Sequence, residues 1–330
     1  ANTKLNNISF EANSQLECIG EKAFYNCRYL NKIVIPESVM RIGKDAFSGC
    51  ENLIQSENGA KYVDKWAVGY VGSGYTEYLL RNDTVGIADY ACKDGGVLLE
   101  TLPESVKSIG DYAFYNCSIG RVIIPDGVNY IGNHAFERCS QLCEVILPKS
   151  ATCTIGDYAF ANCCLWEIEI PGNIISIGDY AFEGNSFMEG ITLSEGISNI
   201  GAYAFSGCNM IDITIPNSVV TIGVGAFSNC YDLSSIDIGK NVISIGALAF
   251  SNCYDLTSII IPDSVVKIGS QAFGCEYLTN IMFENVVGWW NYHNIDVNSA
   301  VNISEDLLSD TAVAAEYLTH TYYGKYWIRL

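Results

Sequence analysis

The chain has 330 residues, 49% of them hydrophobic and 17% charged, a composition able to bury a substantial core and unlike that of a disordered chain. Its 18 Lys and Arg against 37 Asp and Glu leave a formal charge of −19, which disfavours nucleic acid and anionic membrane surfaces and suits a basic partner or simple solubility. It contains no apolar run of 18 residues or more and no apolar signal core at its start, so no membrane insertion is expected.

The first residues, Leu5, Ile8 and Phe10, already fit the pattern Leu-x-x-Ile-x-Ile without a polar cap before them. Repeat arrays need capped ends. A longer native chain is therefore expected, or an end that meets a partner or associates end to end with a second copy. From there a signature, Ile-Gly-x-x-Ala-Phe, recurs ten times, beginning at Ile19, Ile42, Ile109, Ile131, Ile155, Ile177, Ile200, Ile222, Ile245 and Ile268. A worn copy begins at Ile87, with Ala88, Ala91 and Cys92 in place of Gly, Ala and Phe. Copies lie 22 to 24 residues apart, except for a gap of 45 between Ile42 and Ile87 in which one coil is lost or replaced.

Between signatures runs Leu-x-x-Ile-x-Ile-Pro, as at Leu165, Ile168, Ile170 and Pro171, and all seven prolines fall at its end. Its alternation predicts a short strand that the proline terminates, because proline donates nothing to a ladder. The signature glycine is expected to supply a turn other residues resist. The Asp that often follows it (Asp89, Asp111, Asp157, Asp179) is expected to cap a short helical turn through Ala-Phe. One coil cannot bury its own apolar face, so coils must stack.

Within the gap, residues 53–86 carry Tyr62, Trp66, Tyr70, Tyr75 and Tyr78 and read as a variant coil, with a hairpin over one face through about residues 58–74 as the alternative. After Phe283 the pattern stops. Residues 284–330, rich in Trp and Tyr, are expected to cap the last coil, with a short helix starting near Ser309-Asp310. The expected domains are therefore a solenoid over 1–283 and an aromatic cap over 284–330.

The two motifs, the first extended to Ile-Gly-x-x-Ala-Phe-x-x-Cys, resemble the BspA-like leucine-rich repeats over roughly residues 5–283. The resemblance implies a right-handed solenoid with a parallel β-sheet, short strands and short helical or 3-10 turns, here about 12 coils. It also implies a bacterial secreted or cell-surface protein with an adhesion or host-interaction role.

Eight cysteines sit three residues after the signature Phe, Asn185 takes the same slot in another coil, and Cys275 is shifted by one. They read as an internal ladder of buried thiols, with disulfides or metal ligation as the minor reading. Three histidines are too few for a zinc site, and no catalytic triad, phosphate loop or metal motif can be assembled. No enzyme activity, cofactor or metal is expected.

Two surfaces are candidates for ligand binding. The strand positions flanking the first Ile point outward and align in columns that hold Glu144, Glu167, Glu169, Asp212 and Asp237, a negative stripe suited to a basic protein segment or a cation. The same columns hold Val34, Ile123, Ile146 and Ile260, which if exposed point to protein binding. Two residues after the signature Gly lies a tyrosine column, Tyr112, Tyr158, Tyr180 and Tyr203 among others, and Trp289 and Trp290 offer faces on which sugar rings stack. The leading reading is a module binding another protein through its sheet face. A carbohydrate binder and a passive spacer are the alternatives.

Overall fold

The computed structural model describes residues 4–72, 76–77, 79–292, 301–321 and 324–329. Tyr75, Tyr78, Tyr322, Tyr323 and His293 lie outside them. The chain forms a parallel β-solenoid of about 11 turns with few helices, divided into two compact units, Ala1–Cys163 and Cys164–Leu330. That division falls among the repeats, whereas the repeat pattern runs on to Phe283.

In most turns of each unit two short strands form, whereas the first two turns contribute one each, Cys18–Ile19 and Arg41–Ile42, with only a bridge between Asn7 and Lys32 on the other face. In the first unit the signature strands Gly86–Ile87, Ser108–Ile109, Tyr130–Ile131 and Cys153–Ile155 pair parallel in that order, Ile above Ile. Arg121–Ile123 pairs parallel with Glu144–Ile146 on the second face. In the second unit the signature ladder runs Ile174–Ile177, Asn199–Ile200, Thr221–Ile222, Ser244–Ile245 and Lys267–Ile268. The Leu-x-x-Ile-x-Ile strands alternate exposed and buried as a period of two demands, most clearly in Glu167–Ile170 and Ser258–Ile261.

Inside, the signature phenylalanines stack. Phe114, Phe136 and Phe160 lie 5.1 and 5.2 Å apart in the first unit. Phe182, Phe205, Phe227, Phe250 and Phe273 follow at 5.3 to 5.6 Å in the second. All are fully buried, and within each unit the stack makes a core that no single turn can make alone.

The Ala-Phe segment does not form the capped helical turn expected from the Asp. Its backbone is a turn with positive φ at two places, as at Tyr112 (55°) and Asn116 (55°), or Tyr203 (53°) and Gly207 (71°). Alternate N–H groups therefore point along the stack. Tyr112, Phe114 and Asn116 donate to Asn133, Ala135 and Glu137 of the next turn, at 2.8 to 2.9 Å. The Asp instead serves the neighbouring turn: Asp89 Oδ1 accepts the Asp111 N–H, Asp111 Oδ1 the Asn133 N–H, and Asp179 Oδ1 the Ala202 N–H.

The signature glycine is likewise not a turn former. A Cβ on Gly43 would lie 2.6 Å from Glu21 N, and one on Gly132 2.5 Å from Gly110 C. Glycine is required because adjacent backbones meet there.

The thiol ladder forms as expected. Cys50, Cys117, Cys139, Cys163, Cys208, Cys230 and Cys253 donate to the carbonyl of the preceding turn's signature Phe, or to Cys92 O in the case of Cys117, at 3.0 to 3.3 Å. Cys275 reaches Phe250 O at 2.8 Å, so its shift in sequence does not cost it the bond. Asn185 fills the slot by donating to Phe182 O and accepting from Leu165 N. All fourteen cysteines are thiols. Burial pushes Cys117 and Cys230 up to about 12 and Cys139 and Cys208 well above the ordinary thiol range, which leaves little thiolate to react. With iodoacetamide at pH 8, the folded chain is expected to label at Cys18 and Cys143, more slowly at half-buried Cys164, and at the remaining eleven only in denaturant. Mass spectrometry of labelled peptides checks this, and fast native labelling at Cys139 would contradict it.

Candidate protein-binding surface

The gap in the repeat is where the fold departs most from its pattern. The segment does not lie over a face. Gln55–Glu57, Ala60–Val63 and Trp66–Tyr70 form an antiparallel meander that joins the sheet edge-on: Trp66–Tyr70 pairs parallel with Gly86–Ile87. Asn58 (φ 48°) and Gly59 (83°) make the two-residue hairpin turn that such a pair favours. Tyr62 and Trp66 are buried, and a Cβ on Gly86 would lie 2.5 Å from the Trp66 ring. Ala88 is tolerated in the glycine slot because its N–H meets Ala67 O of the meander instead of a regular turn. Arg41 ties the two sides together. Its guanidinium contacts Asp89 at 2.7 to 3.2 Å and also bonds Asp111, whose other oxygen accepts the Tyr130 hydroxyl.

The acidic residues of the strand face are all exposed, as the alternation requires. Their register breaks them up. Glu144 stands opposite Arg121 and pairs with it at 2.8 Å. In the second unit Glu167 and Glu169 face Gly190 and Thr192, and Asp212 and Asp237 face Ser235 and Thr214. These pairings set neutral residues, not like charges, opposite the acids, consistent with the cost of like charges across a ladder. Among the described residues no group of three or more His, Cys, Asp or Glu is placed to hold a metal ion. Along each ladder the acids thus face neutral or basic partners.

The tyrosine column is half-buried and stacked on itself. Tyr90, Tyr112, His134 and Tyr158 lie 4.6, 4.3 and 4.8 Å apart in sequence, and Tyr180 and Tyr203 4.9 Å apart in the second unit. The stacking leaves edges, not faces, to solvent, and Lys44 Nζ covers the Tyr90 ring at 4.6 Å. Positive φ at Tyr90, Tyr112, His134, Tyr158, Tyr180 and Tyr203 sets these rings on their shared edge.

The terminal tryptophans do not form the open sugar-binding platform, the alternative to a cap over the last coil. Trp289 is 1% exposed, donates Nε1–H to Asn285 O at 2.9 Å, and meets Phe283 edge-on at 5.2 Å. Trp327 packs 6.4 Å from both. Trp290 is half-buried. The reason is pairing: Tyr326–Arg329 runs antiparallel beside both Lys267–Ile268 and Trp289–Tyr292, which turns these rings onto the last turn. Helix Thr311–Glu316, N-capped by Asp310 through Ala312 N and Val313 N, packs beside Asn280–Phe283.

Exposure falls instead on residues the sequence did not single out. Trp166 is 66% exposed, Phe187 60% and Ile211 55%, on three successive turns of the second unit. Trp166 and Ile211 follow the buried Leu165 and Met210, where other turns carry Ser234, Thr257 and Thr279. An aromatic at that otherwise small, polar repeat position was the available signal. Glu167, Glu189 and Asp212, all exposed, lie next to them or two residues away in sequence, and Glu189 takes the position of Trp166 and Ile211 on the turn between them.

A leucine-rich-repeat solenoid with large apolar side chains exposed on successive turns is an architecture suited to binding. The BspA type leucine rich repeat region matches residues 1–66, 107–219, 153–280 and 198–303 in six copies, and the chain belongs to that family. The matches leave out residues 67–106, which hold the end of the meander and the worn turn, and residues 304–330. Leucine-rich-repeat families of this kind are generally non-catalytic and bind proteins. Among solved structures, the chain is similar to a leucine rich cell surface protein of Faecalibacterium prausnitzii (25% identity, 86% of this chain, 82% of that one, TM-score 0.41). It is also similar to a leucine-rich repeat protein of Bacteroides ovatus (26%, 84% and 72%, 0.41) and to the pneumococcal vaccine antigen PcpA (16%, 86% and 75%, 0.46). No curated protein matches the chain. No described helix is long and apolar enough to cross a membrane.

Proposed function

We propose that the chain is a non-catalytic recognition module of a secreted or cell-surface protein, and that it binds another protein through the outward face of its second unit. The observation that carries this is the set Trp166, Phe187 and Ile211, apolar and solvent-facing on successive turns, with exposed acids Glu167, Glu189 and Asp212 close to them in the chain. Exposed aromatics in a polar rim are what protein interfaces use as anchors, and acids around them select a partner with basic residues beside its apolar contact. Glu167, Glu169, Asp212 and Asp237 supply that field, whereas Glu144 of the first unit is paired with Arg121. The burial of Trp289 removes support from the carbohydrate reading.

The test is binding of the purified chain to a panel of extracellular-matrix proteins, mucins and glycans at low and high salt. Saturable binding to a protein is expected, weakened by salt. The double variant Trp166→Ser with Phe187→Ser is expected to lose about tenfold or more, since anchor truncations cost upwards of about 1–2 kcal/mol each. Glycan binding unaffected by salt and by this variant would overturn the proposal.

A further inference from the structure

Within each unit a regular turn followed by another donates three backbone N–H groups to it. Lys22, Phe24 and Asn26 donate to Lys44, Ala46 and Ser48; Tyr90, Cys92 and Asp94 donate to Asp111, Ala113 and Tyr115. The equivalent donors of the second turn are Asp45, Phe47 and Gly49, and the equivalent acceptors of the worn turn are the carbonyls of Asp89, Ala91 and Lys93. Among the described residues, none of these three N–H groups has a hydrogen-bond acceptor and none of these three carbonyls has a donor. The cause is the meander: it replaces the strand of the lost turn, through Trp66 and Ala67, but not its Ala-Phe segment. A slot of about 310 Å³ remains, walled by Gly43–Gly49 and by Ala88–Tyr90, with Lys61 and Val68–Tyr70 from the meander also lining it.

The geometry points to this slot as a docking site for one extended polypeptide segment of a partner protein, rich in acidic side chains. One wall presents the donors Asp45, Phe47 and Gly49 at every second residue, and the other presents the Asp89 carbonyl, with the unpaired carbonyls of Ala91 and Lys93 following it in the chain beyond the slot's lining. A peptide backbone supplies both complements, as in strand addition to an open edge. Backbone polar groups left unpaired in a cleft favour such an occupant. The acidic preference comes from Lys44 and Lys61. Both line the slot and, among the described residues, neither has an ion-pair partner, in a chain whose net charge is −19. Of the two carboxylates lining the slot, Asp89 is already held by Arg41 and Asp45 is exposed, which leaves two lysines against one uncompensated acid. This site lies wholly in the first unit and does not depend on the apolar residues exposed on the second.

Amide hydrogen exchange by NMR on the full chain tests it, with a capped Glu-Val-Glu-Val-Glu peptide as probe. In the free chain Asp45, Phe47 and Gly49 are expected to exchange about tenfold or more faster than Tyr112, Phe114 and Asn116, the factor that about one hydrogen bond supplies. The peptide is expected to slow those three amides selectively. The same peptide N-methylated at alternate residues is expected not to do so, nor is the native peptide on the variant Lys44→Glu with Lys61→Glu, whose free-chain exchange is unchanged. The proposal is overturned if the three amides are already as protected as their counterparts, if the peptide leaves them unchanged up to its solubility limit, or if a Lys-Val-Lys-Val-Lys peptide protects them equally.

Discussion

Phe136→Ala is expected to lose about 3–5 kcal/mol of stability. Its ring is fully buried between Phe114 at 5.1 Å and Phe160 at 5.2 Å, and it lies near parallel to both, at 15° and 4°. Truncation removes the transfer of the ring from water and leaves a hole that its neighbours fill poorly, because they are themselves held in register by the N–H ladder from Phe114 to Ala135 and from Phe136 to Ala159. It also removes two ring contacts worth about 0.5–1.5 kcal/mol each beyond area. Urea unfolding followed by circular dichroism reads the loss as a fall in midpoint. Tyr112→Ala, at a half-buried ring on the outer column, is the contrast and is expected to cost appreciably less. A Phe136→Ala loss below about 1 kcal/mol would mean the stack is not packed as described.

The second large effect is expected at Arg41. It spans 48 residues in sequence to reach Asp89, which is 6% exposed. Burial pushes the Asp89 carboxyl above the ordinary carboxylate range, against the opposing pull of Arg41 and of the Asp111 N–H. Arg41→Ala leaves that carboxylate buried without its counter-charge. Breaking a buried pair costs about 3–5 kcal/mol, reduced here to about 2–3 because the arginine side is partly solvated. Arg41→Lys is expected to recover only part, since a point charge cannot fork across Asp89 and Asp111.

The pH dependence gives a second readout. Without Arg41 the folded chain holds the Asp89 proton more tightly than the unfolded chain, so it binds more protons between the ordinary value near 3.8 and the raised folded value. The cost of the substitution is therefore full above the folded value and shrinks as pH falls through it. A difference between variant and parent that stays constant from pH 7 to pH 4 would exclude the buried carboxylate as its source.

The repeat was legible in sequence because one packing demand recurs at one position of every turn. Phe must fill the interior, Gly must let backbones meet, and Cys or Asn must reach the carbonyl beneath it. Ten copies of the same demand leave a pattern that no single coil would show, and the alternation of Leu-x-x-Ile-x-Ile places Glu167 and Asp212 outward by geometry alone. The physical role of some of these residues was still misassigned. The signature Gly answers a close approach and the Asp an N–H of the next turn, and both partners lie 22 to 24 residues away.

What tertiary structure alone decided lies where the repetition fails. Trp166 and Trp289 are the same residue type, yet one stands in solvent and the other is sealed beneath Tyr326–Arg329, because only the second has a strand laid over it. The meander in the gap is drawn into the sheet because the worn turn offers an open strand edge, at Gly86–Ile87, for Trp66 to pair with. The unpaired N–H groups of Asp45, Phe47 and Gly49 carry no mark in their own side chains. They follow from what is missing on the next turn, and a sequence records the residues present, not the hydrogen-bond partners a lost coil would have brought.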